Sequence, residues 1–134
     1  MEGLVEVQLS RVVIQEKGDH QYIHLREKDG DRSFPIVIGF SEALEINRKL
    51  QDVRAERPMT HDLIGRVLEI LGHQLSRVII NELKNSTFFA LLELEANGEK
   101  KLVDCRPSDG IALAVQTGAA LFVHEKVLEA VTSE

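Results

Sequence analysis

Two short segments hold most of the side chains that could do chemistry in this sequence. Residues 56–62 read Glu-Arg-Pro-Met-Thr-His-Asp, and residues 104–109 read Asp-Cys-Arg-Pro-Ser-Asp. In each, an Arg-Pro pair precedes an acidic side chain where the hydrophobic spacing becomes that of a helix. Free backbone N–H groups at a helix start bind oxyanions, so both segments are equipped for a phosphate or metal site. The same groups also make an ordinary helix start.

Carboxylates and one imidazole in and near these segments are the candidate catalytic and metal-binding groups. Mg²⁺ and Mn²⁺ bind carboxylate oxygens and can activate a water molecule, so a sparse site is sufficient for hydrolysis. The candidate metal ligands are Asp62, Asp104, Asp109 and Glu42. His61 can serve as a general acid or base near neutral pH. The candidate catalytic group is therefore His61 with Asp62 and Asp109, and the alternative for both aspartates is stabilisation of a helix start.

Two arginines and two hydroxyls are the candidate substrate-binding groups. Arg57 and Arg106 can each hold phosphate oxygens through paired hydrogen bonds. Thr60 and Ser108 lie beside them at the predicted helix starts. The alternative for the arginines is ion pairing with neighbouring carboxylates, which would fasten the two helix starts together.

Composition and charge limit the class of protein. The 134 residues are enough for one domain, which we expect over residues 1–134. The single cysteine, Cys105, cannot close an internal disulfide, and we expect it to pack as a small core residue. No long apolar run or N-terminal leader is visible, so we expect a cytoplasmic protein without a membrane partner.

The formal net charge of −6 argues against strong, sequence-independent DNA binding unless a cation bridges the two. Four basic residues lie close together, but Asp52 and Glu56 are interspersed among them, which favours a solvated helix face. They are Arg48, Lys49, Arg54 and Arg57. Weak or transient contact with nucleic acid remains open.

An internal repeat organises the chain. Residues 8–14, Gln-Leu-Ser-Arg-Val-Val-Ile, return almost unchanged at residues 74–80 as Gln-Leu-Ser-Arg-Val-Ile-Ile. The pattern continues in each half and predicts a duplicated strand-strand-strand-helix unit. Aligning the halves places Ser41-Glu42 against Ser108-Asp109, so Glu42 and Asp109 would occupy equivalent positions.

The predicted elements fit this plan. Strands are expected at 21–28, 33–38, 87–95, 101–105 and 120–123, and helices from about Ser41, at 60–71, from about Pro107 and around 125–131. The Asn97-Gly98 pair predicts a hairpin turn, and Pro35 predicts an edge strand or a strand start. Short turns between strands indicate antiparallel pairing, so the fold class is α+β with mainly antiparallel sheet and about four helices.

Hydrophobic spacing predicts which helix faces are buried. The first helix should present Ala43, Leu44, Ile46 and Leu50 on one face. The second should direct Leu63, Ile64, Val67, Leu68 and Leu71 inward and end at Gly72. The third is apolar on most sides, so we expect it to be buried and to end at Gly118.

These residues resemble a known family. Residues 35–39, Glu42-Ala43, 57–63 and 104–114 are similar to successive motifs of the bifunctional nuclease domain family, and the likeness covers about residues 4–131. Gly110 stands where the family usually has Ala. The resemblance implies an α+β fold, self-association into a homo-oligomer, and nuclease activity on RNA and DNA.

The first functional hypothesis is therefore metal-assisted hydrolysis of phosphodiester bonds. The alternatives are a non-catalytic, oligomeric interaction or regulatory module, and a binder of a small anionic ligand at the two helix starts.

Overall fold

Seven strands and four helices make up the described part of the chain, residues 2–15 and 20–132 of the computed structural model. The elements are β1 (Leu4–Val13), β2 (Gln21–Glu27), β3 (Ser33–Ile38), α1 (Phe40–Leu50), α2 (Thr60–Ile70), β4 (Gln74–Lys84), β5 (Thr87–Ala96), β6 (Glu99–Cys105), α3 (Pro107–Thr117), β7 (Ala120–His124) and α4 (Glu125–Thr132). Residues 1, 16–19, 133 and 134 of the predicted domain lie outside the described residues.

All seven strands form one sheet in the order β3-β2-β1-β7-β4-β5-β6. Every neighbouring pair is antiparallel except β4 and β7, which are parallel. The predicted α+β class with a mainly antiparallel sheet and four helices is confirmed for the described residues. Pro35 lies on the edge strand β3, where its missing N–H costs no ladder hydrogen bond. The duplication stays a prediction.

Turn chemistry sets the register of the hairpins. Asn97 and Gly98, between β5 and β6, both have positive φ, at 52° and 80°. Two consecutive positive φ values are typical of the type I′ turn, whose twist matches that of the strands it joins. The predicted hairpin turn is confirmed.

Helix α3 is the centre of the core. Its side chains Ile111, Ala112, Leu113 and Ala114 are buried, and the helix packs against α1, β4, β5 and β7. Gly118 ends it with φ of 81°, in the left-handed conformation that glycine adopts without strain. The predictions of a buried third helix and of its end are confirmed.

The predicted inward faces of the other two long helices are partly wrong. In α1 only Ala43 and Ile46 are buried, while Leu44 and Leu50 are exposed. In α2 no residue is fully buried: Ile64 and Leu68 pack against the core, whereas Leu63, Val67 and Leu71 are exposed. Within the described residues, no helix has both the length and the apolar character that a membrane crossing needs.

Candidate active site at the starts of two helices

The start of α3 positions three of the predicted site residues. Pro107 occupies the first turn, where its missing N–H leaves no hydrogen bond unmade. Arg106 precedes it in extended backbone, and its side chain caps nothing. Because Pro107 and Ser108 are buried, the first turn is fixed against the core and Asp109 is presented at the rim.

His61 and Asp109 meet although 48 residues separate them. The distance from His61 Nε2 to Asp109 Oδ1 is 3.0 Å, and both side chains are largely shielded from solvent. An ionised carboxylate only accepts hydrogen bonds, so the proton of this bond belongs to His61 Nε2. Nδ1 is then free to exchange a proton with another group. A second contact holds the helices together, since Gln116 Nε2 donates to the His61 carbonyl at 3.1 Å.

Arg106 extends this pair to a third helix. Its Nε donates to Asp109 Oδ2 at 3.3 Å, and its guanidinium lies 3.8 Å from Glu42 Oε2 at the start of α1. The Arg106 side chain is 67% exposed, so its remaining N–H groups can reach a ligand. His61, Asp109, Arg106 and Glu42 thus form one chain of contacts from α2 through α3 to α1, which we call the His61–Glu42 chain.

The charge state of Asp109 is set by opposing effects. Burial acts to raise its pKa, but the hydrogen bonds from His61 and Arg106 together outweigh burial, and the pKa is lowered. Asp109 is therefore ionised near neutral pH. A fixed anion at this position can hold the imidazole of His61 in one orientation and stabilise its protonated form.

Asp62 lies in a separate ionic cluster. Its carboxylate pairs with Lys49, lies 3.2 Å from Arg48 Nη2, and accepts the Met59 N–H at 2.9 Å. Arg48 also pairs with Glu45 at 2.6 Å. Hydrogen bonding to Lys49 is the main cause that lowers the Asp62 pKa, to about 2, against the opposing effect of burial. The cluster fastens the start of α2 to the end of α1.

The predicted metal ligands are not brought together. Asp62 belongs to its own cluster, Asp109 and Glu42 are linked through Arg106, and Asp104 is exposed on β6. Across residues 2–15 and 20–132, no three His, Cys, Asp or Glu side chains form a group that could hold a metal ion. These carboxylates do not fit a metal centre built from protein ligands alone, and the Mg²⁺ or Mn²⁺ ion stays a prediction.

A cleft of about 530 Å³ opens beside the Asp62 cluster, between the α1–α2 loop, α2 and the end of α3. Arg54, Arg57 and Arg66 line it, and in the described part of the chain none of their side chains has a hydrogen-bond or ion-pair partner. Asp52, Glu56 and Glu69 also line it, so its charge is mixed. Thr60, at the nearby helix start, is exposed.

Comparison with known proteins identifies the family of this chain. A sequence model of the bifunctional nuclease domain matches residues 23–134. The chain belongs to the bifunctional nuclease domain family. The resemblance found in the sequence is confirmed. Among relatives, the uncharacterized protein Rv1829 of Mycobacterium tuberculosis strain H37Rv is 40% identical over 123 residues, which are 92% of this chain and 73% of that protein.

Two further relatives differ in their sequence identity to this chain. The uncharacterized protein MT1877 of M. tuberculosis strain CDC 1551 has the same identity and coverage as Rv1829. Bifunctional nuclease 2 of Oryza sativa subsp. japonica is 26% identical over 118 residues, which are 85% of this chain and 36% of the rice protein.

Sequence reasoning missed three residues of this bifunctional nuclease domain that hold the site. Arg48 and Lys49 were expected on a solvated face, but the Lys49 side chain is only 7% exposed and pairs with Asp62. The pattern that could have identified Arg48 and Lys49 is their position in the last turn of α1, directly before the segment that carries Asp62. Gln116 gave no such signal, because its contact with His61 arises only from the packing of α2 on α3.

Proposed function

We propose that this bifunctional nuclease domain hydrolyses phosphodiester bonds of RNA and DNA at the His61–Glu42 chain. The observation that carries the proposal is the contact of His61 with Asp109, because it joins a proton-transfer group to a fixed carboxylate beside an exposed arginine. Family membership supports the same reaction class.

Each group has a distinct role in the proposal. His61 transfers a proton through Nδ1, either from the attacking water or to the leaving oxygen. Asp109 orients the ring through Nε2 and stabilises the charged imidazole. Arg106 binds a phosphate oxygen and stabilises the negative charge that develops on it. Asp62 anchors the start of α2 to α1 and takes no part in the chemistry.

Cleavage of end-labelled RNA and single-stranded DNA tests the proposal. We expect His61→Ala and Asp109→Asn to lower the rate by at least about 100-fold, the usual contribution of a positioned acid or base. The matched control is His20→Ala, which removes an exposed histidine outside the chain of contacts. Reactions with Mg²⁺, Mn²⁺ or a chelator test the predicted metal separately. Equal cleavage by all four proteins would indicate a contaminating nuclease and would reject the assignment.

A non-catalytic interaction module is the second candidate, and the exposed apolar side of α2 favours it. Leu63, Val67, Ile70 and Leu71 lie on that side, and Ile70 is 84% exposed. Apolar patches of this kind mark contact surfaces, which supports the homo-oligomer that the family resemblance implies. Sedimentation of the wild type and of Ile70→Glu tests it: the variant should shift to smaller species, and an unchanged profile would reject α2 as the contact.

A binder of a small anionic ligand is the third candidate, favoured by the unpaired arginines of the cleft beside Asp62. Thermal-shift assays with inorganic phosphate and nucleotides test it, since a bound ligand raises the melting temperature by mass action. An unchanged melting temperature of the wild type would count against the anionic-ligand binder. An equal rise in melting temperature for the wild type and Arg57→Ala would also count against it.

We also propose a single domain over residues 1–134, a cytoplasmic location and an origin by duplication. The sheet order supports the duplication, because β1 and β4 flank β7, followed outward by β2 and β5 and then by β3 and β6. The opposite directions of β1 and β4 are those that a twofold relation between the halves requires.

A further inference from the structure

A second cleft, of about 360 Å³, adjoins the exposed guanidinium of Arg106. Four segments form its walls: the end of β3 with Gly39, the start of α1 at Glu42, the start of β5 with Ser86, and the start of α3. Arg106 and Glu42 belong both to this cleft and to the His61–Glu42 chain. A ligand in the cleft would therefore lie next to the proposed catalytic groups.

The cleft combines an apolar surface with a few polar groups. Ile36, Val37 and Phe88 supply apolar walls, and the Phe88 ring is held by stacking on Phe34 with centroids 5.8 Å apart. Mostly apolar clefts with few polar groups are typical of small-molecule sites. The volume lies near the lower end of their usual range of about 300–1,000 Å³, which suits one ring system rather than a longer segment.

Ser108 is a polar group in this cleft that has no partner. Ser108 is only 6% exposed and lines the cleft. Its hydroxyl makes no hydrogen bond within residues 2–15 and 20–132. Because this hydroxyl opens into the cleft and is not enclosed by protein, it can donate to or accept from a ligand there. Neither α1 nor α3 has a side-chain cap at its start, which leaves first-turn N–H groups of both helices open at the same place.

We propose that this cleft is the nucleobase subsite for the nucleotide whose phosphate Arg106 binds. This inference rests on the proposed nuclease function. The base lies against the apolar walls, and the Ser108 hydroxyl and the open N–H groups hold polar atoms of the nucleotide. Because every base has an apolar face, stacking of this kind accepts different bases. The subsite therefore gives affinity for a nucleotide without selecting one sequence.

Binding of AMP, ribose 5-phosphate and inorganic phosphate tests the subsite by titration calorimetry. We expect AMP to bind the wild type about tenfold more tightly than ribose 5-phosphate, since only AMP carries a base. Val37→Trp should remove this preference by filling the cleft. Val103→Trp is the matched control: Val37 and Val103 are exposed valines on the two edge strands, and Val103 lies outside the cleft.

The same variants separate the subsite from the nuclease activity. If the wild type cleaves nucleic acid, Val37→Trp should raise the KM of cleavage about tenfold, whereas Val103→Trp should leave that KM unchanged. If the wild type cleaves nucleic acid but binds AMP no more tightly than ribose 5-phosphate, the subsite is overturned and the nuclease proposal is unaffected. A third outcome is that the wild type cleaves neither RNA nor DNA, while Val37→Trp loses the AMP preference and Val103→Trp keeps it. That result would uphold the subsite and reject the nuclease proposal. Thr87→Trp, on the wall formed by β5, decides the matter if Val37→Trp does not fold.

Discussion

The starts of α2 and α3 have similar sequences but different surroundings. Each has an Arg-Pro pair followed by an aspartate in the first turn. At α3 the first turn is buried, and Asp109 reaches across to His61. At α2 no residue is buried, and Asp62 is held by Lys49 and Arg48 of α1. The same local pattern therefore supplies a reactive pair at one helix and an anchor at the other, and tertiary packing decides which.

The largest difference in stability is expected when one leucine is removed from each helix. Leu113→Ala in buried α3 should lower the free energy of unfolding by about 2–5 kcal/mol, because it leaves a cavity. Leu63→Ala in α2 should change it by no more than about 0.5 kcal/mol, because that side chain is exposed. Urea unfolding measures both. Similar losses at the two positions would contradict the assigned surroundings.

The second test removes the α2 anchor. Asp62→Asn should lower the free energy of unfolding by about 1–3 kcal/mol, because it removes the nearer of the two carboxylates that pair with the shielded Lys49 ammonium and leaves only Glu45, at 3.8 Å. Glu56→Gln is the control, because Glu56 is an exposed acid in the loop before α2 whose side chain has no partner in the described residues. If chemical denaturation gives the same stability for both variants, the cluster does not fasten α2.

The fold could be predicted largely from the sequence, because strand bounds and turns depend on local patterns. The β3 strand was predicted at 33–38 and lies there, and the start of α3 at Pro107 was also correct. The predicted inward face of α2 was right for Ile64 and Leu68 and wrong for Leu63, Val67 and Leu71, because the helix is apolar on two sides. Periodicity cannot decide whether Ile64 and Leu68 or Leu63 and Val67 meet the sheet.

The site could be predicted only in part. Sequence patterns identified His61 and Asp109 as candidates, but their contact depends on how α2 packs against α3. The expectation that Asp62, Asp104 and Asp109 share one site was based on their residue type alone. Distances between these three side chains cannot be read from a sequence pattern, and each has different neighbours in the fold.

A third test uses acid. Since the Asp62 pKa is lowered from 3.8 to about 2 in the fold, the folded state binds fewer protons than the unfolded state. The stabilisation is fully present above about pH 4 and is lost as the pH falls toward 2. Thermal unfolding between pH 4.5 and 2 should therefore weaken the wild type more than Asp62→Asn. Parallel pH curves for the two proteins would contradict the ion pairing.

A fourth and smaller effect is expected at Gly110, beside Asp109. A Cβ there would lie 2.6 Å from Val78 Cγ1, closer than side-chain carbons approach, so Val78 or α3 would have to shift if this residue were Ala. Gly110→Ala should lower the free energy of unfolding by about 1 kcal/mol, since crowding exceeds the gain in helix propensity. In a Val78→Ala background the same change should no longer destabilise. Destabilisation of equal size in both backgrounds would exclude this contact as the cause.

The most direct test of the division between the two helix starts is the cleavage rate of Asp109→Asn against Asp62→Asn. Both remove one carboxylate charge, and the rates are compared at a temperature where circular dichroism shows both variants folded. We expect a loss of at least about 100-fold for Asp109→Asn and a rate within a few-fold of wild type for Asp62→Asn. Equal losses, or the greater loss in Asp62→Asn, would contradict the assignment of chemistry to the α3 start.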